Sequence, residues 1–174
     1  MTRPDDILLV DGYNIIGAWP VLERLKEYDL EEARDKLLTM LADYQGYSGM
    51  TVYVIFDAHQ VPGLGATYKQ NKLIVVYTKE KETADECIER HVVQLYSRRR
   101  NLYVATSDLI EQHVAFGKGA LRISARELLV DVEQSRKQIE HKLREEKPGK
   151  RNSLDGNLSL EVRSQLERLR RGGK

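Results

Sequence analysis

Short runs of apolar residues alternate with helical patterns over most of the chain. The runs are rich in Val, Ile and Tyr and lie at Ile7–Val10, Val52–Phe56, Leu73–Tyr77 and Leu102–Ala105, with a weaker one at Ala120–Ile123. Because the apolar residues are continuous rather than alternating, they are typical of parallel strands that are covered on both faces. The pattern predicts an α/β fold, a three-layer sandwich with helices on both faces of a central parallel sheet.

Apolar residues at spacings of three and four predict the helices between these strands. They indicate a short helix over Pro20–Tyr28, a longer one that begins at Leu30 and stops at Gly46 and Gly49, and another that starts near Thr83. A polar, Gly-containing stretch from residue 59 to residue 72 is predicted to be a long loop. Loops of this length in compact domains are often functional.

The last third of the chain predicts a helical extension. Ser124 and Glu127 have the spacing of a capping box, which predicts a helix that runs to about Lys147, where Pro148 and Gly149 end it. Beyond a polar linker, the apolar positions of a terminal helix lie at Leu158, Val162, Leu166 and Leu169. We therefore expect a main domain over residues 1–147, and a basic linker and C-terminal helix over residues 148–174.

The charge is unevenly distributed, although the net charge is only +1. Residues 136–174 carry twelve Lys and Arg against six Asp and Glu, whereas residues 1–135 carry sixteen against twenty-one. An acidic body with a basic C-terminal segment suits a protein whose tail approaches a polyanion, although an ordinary solvated helix accounts equally well for the tail.

Targeting signals and metal-binding cysteine motifs are missing from the sequence. The longest purely apolar runs have four or five residues, and the N-terminus lacks the apolar stretch of a secretory signal. The single cysteine, Cys87, allows no internal disulfide. These features predict a cytoplasmic protein with no membrane partner, and they leave the oligomeric state open.

Acidic residues follow three of the predicted strands. Asp11, Asp57 and Asp108 come at or just after the strand ends, and Glu82, Asp85, Glu86 and Glu89 share one face of the helix that starts near residue 83. In an open parallel sheet, ligands bind outside the carboxyl ends of the strands. Converging carboxylates repel one another unless a cation lies between them, and the lack of a Cys/His cluster argues against zinc. The pattern therefore predicts a Mg²⁺ or Mn²⁺ site, which enzymes that hydrolyse phosphodiesters commonly use.

Asp11 is the strongest of these candidates. A charged residue directly after Ile-Leu-Leu-Val is hard to explain by packing, and Gly12 lets another group approach the backbone closely. Asn14 can donate a hydrogen bond that orients a carboxylate or contacts a phosphate.

The other acids also have structural explanations. Asp108 precedes Glu111 by three residues and suits a helix N-cap, and Glu86 completes a capping-box spacing. Asp85 in a first helical turn suits the helix dipole, and Asp57 suits a turn.

Four motifs, in this order and spacing, resemble the NYN branch of the PIN-like nucleases. They are Asp11-Gly-Tyr-Asn14, Phe56-Asp57-Ala58, Glu82-Thr-Ala-Asp85-Glu86 and Thr106-Ser-Asp108. The segments Gly65–Lys69 and Val75–Thr78 are similar, more closely, to the bacterial YacP-like NYN proteins. The resemblance extends from about residue 5 to the basic C-terminal helix.

The resemblance implies a Mg²⁺- or Mn²⁺-dependent endoribonuclease with strand order 3-2-1-4-5. Its metal ligands correspond to Asp11, Asp85 and Asp108. Asn14, Asp57, Glu82 and Glu86 would be supporting residues, with Glu82 or Glu86 as a further acid. Many relatives have paired aspartates where this chain has Asp85-Glu86, which leaves the fourth ligand open.

The resemblance also implies mRNA and the translating ribosome as partners. A ribosome that supplies much of the binding would explain a near-neutral nuclease, since free RNA-binding enzymes rely more on basic patches. Candidate contacts to RNA or the ribosome are Tyr68, Lys69, Lys72, Arg98, Arg99 and Arg100. Tyr68 offers a stacking surface for a base, and each basic residue taken singly is equally well explained as solvated charge.

Two other classes of function share parts of this pattern. A phosphatase or phosphotransferase with Asp11 as nucleophile usually has a second Asp two residues on, and position 13 is Tyr. A non-catalytic NYN-type adaptor that only binds RNA or the ribosome is the main alternative to the nuclease.

Overall fold

The central sheet confirms the predicted α/β architecture and its strand order. The computed structural model describes residues 3–58 and 67–146, together with residues 164, 165, 167, 168 and 170. The strands are β1 (Ile7–Asp11), β2 (Thr51–Phe56), β3 (Thr67–Gln70), β4 (Leu73–Tyr77), β5 (Leu102–Ala105) and β6 (Leu121–Ile123). They lie in the order β3-β4-β2-β1-β5-β6, and every pair except β3 with β4 is parallel. The five strands predicted from the sequence thus take the expected order 3-2-1-4-5.

The edge strand β3 corrects the prediction of a loop over residues 59–72. Thr67 of β3 lies opposite Val76 of β4 in an antiparallel hairpin. Asn71 and Lys72 form its turn with positive φ angles of 49° and 69°, as two-residue hairpin turns require. A four-residue, largely polar strand has too little hydrophobic pattern to be recognised. Residues 59–66 lie outside the described residues.

The helices connect the strands and confirm most of the predicted ones. They are α1 (Gly12–Ala18), α2 (Pro20–Tyr28), α3 (Leu30–Ser48), α4 (Ala84–Leu95), α5 (Leu109–Gly117) and α6 (Ala125–Glu146). At the start of α6, Ser124 and Glu127 form the predicted capping box, with hydrogen bonds of 2.7 and 3.1 Å. Gly49 ends α3 in the left-handed region with φ of 75°. The seven-residue α1 was not predicted, since it is too short to show a period.

Apolar side chains pack on both faces of the sheet. In β1, Leu8 and Val10 belong to the core that contains α1, α2, α3 and the first turns of α6, whereas Ile7 and Leu9 belong to the core with α4 and α5. All four side chains are at most 3% exposed. Burial on both faces explains why the strands read as continuous apolar runs.

The contacts divide the chain into two compact units, Met1–Lys137, which contains the sheet, and Gln138–Lys174. The division predicted between residues 147 and 148 stays a prediction, because residues 147–163 lie outside the described ones. The same holds for the apolar positions of the terminal helix, although residues 164, 165, 167, 168 and 170 are helical. In the described part of the chain, every helix is too short or too polar to span a bilayer.

Candidate metal centre

Asp11 lies at the point where the strand order reverses. It is the last residue of β1, which lies between β2 and β5, and its side chain is 7% exposed. Asp11 is also the N-cap residue of α1, and the backbone of Asn14 and the side chain of Glu111 interact with its carboxylate. The next residue is Gly12, where a side chain would not fit, because a Cβ there would lie within 3.0 Å of three ring atoms of Phe56. The sequence thus places a buried carboxylate at the switch point, where α/β folds bind ligands.

Three elements bring three carboxylates together. Asp11 ends β1, Asp85 lies in the first turn of α4, and Glu111 lies in the first turn of α5. One oxygen from each lies within 4.8 Å of the other two. Asp11 and Glu111 are buried, and Asp85 is exposed. We call Asp11, Asp85 and Glu111 the acidic cluster.

Glu111 has the least favourable surroundings for a charge. Glu111 is 4% exposed, and neither of its buried carboxylate oxygens makes a well-formed hydrogen bond among the described residues, although the side chains of Thr106 and Asp11 interact with it. Burial, and then the charge of Asp11, raise the pKa of Glu111 to about 9. A buried carboxylate without a well-formed hydrogen bond is costly, and a cation relieves that cost. The two oxygens therefore fit a metal ion as a partner.

The other two members of the acidic cluster are perturbed in the same direction. Burial, and then the charge of Asp85, raise the pKa of Asp11 to about 6. Burial, and then the charge of Asp108, raise the pKa of Asp85. Groups perturbed in this way are common at functional sites. Three carboxylate oxygens with room for water suit Mg²⁺ or Mn²⁺, and the cluster contains no Cys or His.

Asp108, a predicted ligand, lies beside the acidic cluster but is not part of it. It is the N-cap of α5, where its Oδ1 accepts hydrogen bonds from the backbone N–H groups of Ile110 at 2.8 Å and Glu111 at 3.4 Å. Asp108 therefore fixes the helical turn that carries Glu111. Its role as a metal ligand stays a prediction.

Asn14 connects the start of α1 to the segment after β5. Its Oδ1 accepts hydrogen bonds from the backbone N–H of Ser107 at 2.6 Å and from the Ser107 hydroxyl at 2.7 Å. Because α1 follows Asp11 directly and α5 follows Ser107 closely, this link holds two parts of the site together. The predicted role of Asn14, donation of a hydrogen bond to a carboxylate or a phosphate, stays a prediction.

A cavity of about 430 Å³ opens beside Asp11 and Asp85. The described residues that line it are Asp11, Tyr13, Asn14, Lys26, Asp57, Thr83, Ala84 and Asp85. The predicted residue Asp57 thus shares a cavity with two members of the acidic cluster. A second cavity of similar volume, lined by Trp19, Met40 and Leu129 among others, contains none of the cluster residues.

Glu82 and Glu86 are engaged in local contacts. The Glu86 carboxylate accepts a 3.0 Å hydrogen bond from the Thr83 backbone N–H, and the Thr83 hydroxyl accepts one of 3.2 Å from the Glu86 N–H. This is the capping box of α4. Glu82 forms a 2.8 Å ion pair with Arg90. Both lie outside the acidic cluster, and their part in metal binding stays a prediction.

Most of the residues predicted to contact RNA or the ribosome lie at the amino ends of the strands. Lys72 precedes the first residue of β4, and Arg98, Arg99 and Arg100 precede the first residue of β5. The acidic cluster lies at the carboxyl ends of the strands. The length of a strand, roughly 13 Å for four residues, therefore separates these basic residues from the acidic cluster. Lys69 is exposed on β3, and the side chain of Tyr68 lies outside the described part. Contacts through these residues would lie away from the metal centre.

Sequence reasoning missed Glu111 and Lys26 as site residues. In the sequence, Glu111 stands out only as the residue three positions after the candidate N-cap Asp108. The helix α5 buries Glu111, Gln112 and Ala115, while Ile110 is 76% exposed. This inverts the usual amphipathic pattern. A glutamate placed next to a strand-end N-cap is the one local signal that pointed to this position.

The chain belongs to the YacP-like NYN domain family, a branch of the PIN-like nucleases, and the family model matches residues 8–171. It is 49% identical over 170 residues to YacP of Bacillus subtilis (strain 168), an alignment that covers 96% of this chain and 98% of the relative. The crystal structure of Rae1 (YacP) from Bacillus subtilis is similar, with a TM-score of 0.73 at 49% identity, and the match covers 96% of this chain and 95% of that chain. A mutant form of Rae1 (YacP) matches with a TM-score of 0.75 at 44% identity, over 93% of this chain and 98% of that one.

Proposed function

We propose that this protein is a Mg²⁺- or Mn²⁺-dependent endoribonuclease that acts in the cytoplasm and cleaves mRNA in association with the translating ribosome. The observation that carries the proposal is the acidic cluster at the switch point of a nuclease-family fold. Two of its carboxylates are buried, and the oxygens of Glu111 make no well-formed hydrogen bond among the described residues. A site built at this cost in stability is expected to serve a ligand.

Asp11, Asp85 and Glu111 would hold the ion, with water completing its coordination. The chemistry that such an ion supplies is activation of water and neutralisation of charge on the scissile phosphate. Asp108 holds the first turn of α5, which carries Glu111, and Asn14 holds the turn after β1. These contacts fix the carboxylates in place before substrate binds, which lowers the cost of assembling the site.

The distribution of charge supports a large partner. The net charge is +1, and the predicted basic contacts lie at the amino ends of the strands rather than around the cavity. A nuclease that binds free RNA by itself gains most of its affinity from phosphate contacts. A ribosome that presents the mRNA would reduce the need for such contacts at the cleavage site.

The test compares cleavage of free RNA and of ribosome-engaged mRNA by the purified protein with Mg²⁺ or Mn²⁺. We expect cleavage by the parent, strongest on ribosome-engaged mRNA, and a loss of about a hundredfold or more in Asp11→Asn and Asp85→Asn, as is usual when a metal ligand is removed. Asp35→Asn, which removes an exposed carboxylate of α3, is the matched control and should cleave like the parent.

A second pair of variants separates the roles of Glu111 and Asp108. Glu111→Gln should abolish cleavage if Glu111 is a ligand. Asp108→Asn keeps a good N-cap but removes the charge, so a loss of cleavage would assign Asp108 to the metal as well. If Asp11→Asn and Asp85→Asn cleave as well as the parent, the proposed mechanism is wrong. Binding of RNA or ribosomes without any metal-dependent cleavage would instead favour the adaptor.

A further inference from the structure

We propose that Lys26 binds a phosphate of the RNA strand in the cavity beside the acidic cluster, so that this cavity is a nucleotide subsite. The inference rests on the proposed nuclease function and adds to it a substrate-binding residue outside the family motifs of this chain. Lys26 lies in the last turn of α2, a helix that sequence reasoning had not connected with the site.

The cavity is flanked from both faces of the sheet. The helix α2 packs through Leu22 and Leu25 into the core on one face, whereas α4 packs through Cys87 and Ile88 into the core on the other face. Lys26 therefore reaches the cavity from one helix layer, and the carboxylate-bearing start of α4 reaches it from the other. An RNA strand that crosses the carboxyl ends of β1 and β2 would pass between these two layers.

The charges around the cavity define what Lys26 can bind. Of the described residues that line the cavity, Asp11, Asp57 and Asp85 are acidic and Lys26 alone is basic. A phosphodiester that approaches three carboxylates is repelled, so a positive group on the opposite helix layer helps to hold it. Lys26 is exposed, and within the described part of the chain its amino group makes no ion pair or hydrogen bond. A lysine ammonium on a flexible stem is well suited to bind phosphate as a point charge.

Tyr13 provides a rigid wall next to Lys26. Its ring packs against Phe56 with 5.0 Å between the ring centroids, and its hydroxyl accepts a 3.0 Å hydrogen bond from Arg34. The cavity volume of about 430 Å³ falls in the range of sites for small molecules. A single nucleotide therefore fits the cavity both in size and in its combination of a phosphate and an apolar ring.

The test measures RNA binding and RNA cleavage in Lys26→Met and Lys26→Arg. Binding of a short single-stranded RNA is measured in Ca²⁺ at several salt concentrations, and single-turnover cleavage is measured in Mn²⁺. We expect Lys26→Met to bind about tenfold more weakly, as for the loss of one charge-assisted phosphate contact. Its salt dependence should fall by about 0.7 in slope, the value for one phosphate of a single strand. Lys26→Arg should restore most of the affinity.

Lys36→Met is the matched control, because it removes the same charge from exposed helix surface outside this cavity. It should leave the RNA affinity and the salt slope unchanged. Mn²⁺ affinity, measured by calorimetry without RNA, should be the same in Lys26→Met and the parent, because Lys26 is not a metal ligand.

The two proposals fail in different ways. If the parent cleaves RNA and Lys26→Met binds and cleaves equally well, the role of Lys26 is wrong and the nuclease function stands. If the parent cleaves neither free RNA nor ribosome-engaged mRNA, the nuclease function is wrong. The role of Lys26 is then decided by binding alone, where a loss confined to Lys26→Met supports it and equal affinity, or no affinity in the parent, overturns it. A loss of the same size in Lys36→Met also overturns it, since the effect would then be general electrostatics.

Discussion

Replacing Glu111 with Gln should make the metal-free protein more stable at neutral pH and should weaken metal binding at the proposed site. Glu111 is buried, its oxygens make no well-formed hydrogen bond among the described residues, and burial is the first cause of its raised pKa. Gln has nearly the same shape and carries no charge. The substitution therefore removes an ionisable group from a place where its charge is unfavourable.

The magnitude follows from the two pKa values. The pKa of Glu111 is about 9 in the folded protein and 4.5 for an ordinary Glu. Between these values the folded state holds a proton that the unfolded state has lost, so its stability falls as the pH rises through this window. At about 1.4 kcal/mol per pH unit, the loss by pH 7 is about 3 kcal/mol, whereas at pH 5 it is below about 1 kcal/mol. The gain in Glu111→Gln approaches this value from below, because an amide has two N–H donors to satisfy and a protonated carboxyl has one.

The assay is urea unfolding in EDTA at pH 5, 7 and 8, followed by the same series with Mn²⁺. In EDTA, Glu111→Gln should be more stable than the parent, by a difference that grows with pH. With Mn²⁺, the parent should gain stability because the ion binds only the folded state, and the variant should gain much less. Glu27→Gln, an exposed position of α2, is the control and should change stability by less than about 0.5 kcal/mol.

Three results would refute the reasoning. A variant that is less stable than the parent in EDTA at pH 7 would mean that the Glu111 carboxylate has a favourable partner in the folded protein. A difference that does not change between pH 5 and pH 8 would mean that the titration of Glu111 is not its source. An equal gain of stability from Mn²⁺ in both proteins would show that Glu111 is not a ligand.

Three further substitutions test the framework around the site. Gly12→Ala should lower the free energy of unfolding in urea by about 1–3 kcal/mol, because its Cβ would overlap the ring of Phe56. This loss is expected even though Ala favours helices. Unchanged stability would show that the ring moves aside freely. Burial opposes the charge of Asp6, but backbone hydrogen bonds from Arg3 and Asn101 lower its pKa, so Asp6→Asn should cost about 1.5–3 kcal/mol at pH 7. That difference should shrink as the pH falls through the lowered pKa, where the parent loses the same charge, and a constant difference would contradict it. Trp19→Phe removes the donor of a 2.8 Å hydrogen bond to the first carbonyl of α6 and should lower the free energy of unfolding by about 1–2 kcal/mol, which is seen as a lower urea midpoint. An unchanged midpoint would show that this bond is dispensable.

Most of the sheet could be predicted because strands that are buried on both faces are apolar at consecutive positions, which is visible in the local sequence. β1, β2, β4 and β5 are apolar at consecutive positions, and the capping box of α6 marks a helix start without any long-range information. The edge strand β3 could not be predicted. It has one neighbour and polar residues, and its pairing with β4 depends on a turn at Asn71 and Lys72 that has no Gly.

The residues of the candidate site also divide into those that could be predicted and those that could not. Asp11 could be found because it lies directly at the end of a recognisable strand, where a parallel sheet binds ligands. Asp85 was one of four acids near the start of α4, and the family resemblance singled it out. Lys26 could not be found, because nothing in the sequence of α2 tells which of its exposed residues faces the carboxyl ends of the strands.

Glu111 shows most clearly what the chain alone could not reveal. Its helix α5 contains enough apolar residues for the opposite orientation, yet Leu109 and Ile110 are exposed and Glu111 is buried. Periodicity arguments assume that apolar side chains are buried and charged ones exposed. By itself the sequence indicated the layered fold and Asp11, and the family resemblance added the strand order and Asp85. The packing of α5 against α4, β5 and β6 decided the third, because a buried carboxylate runs against the hydrophobic preference from which sequence patterns are read.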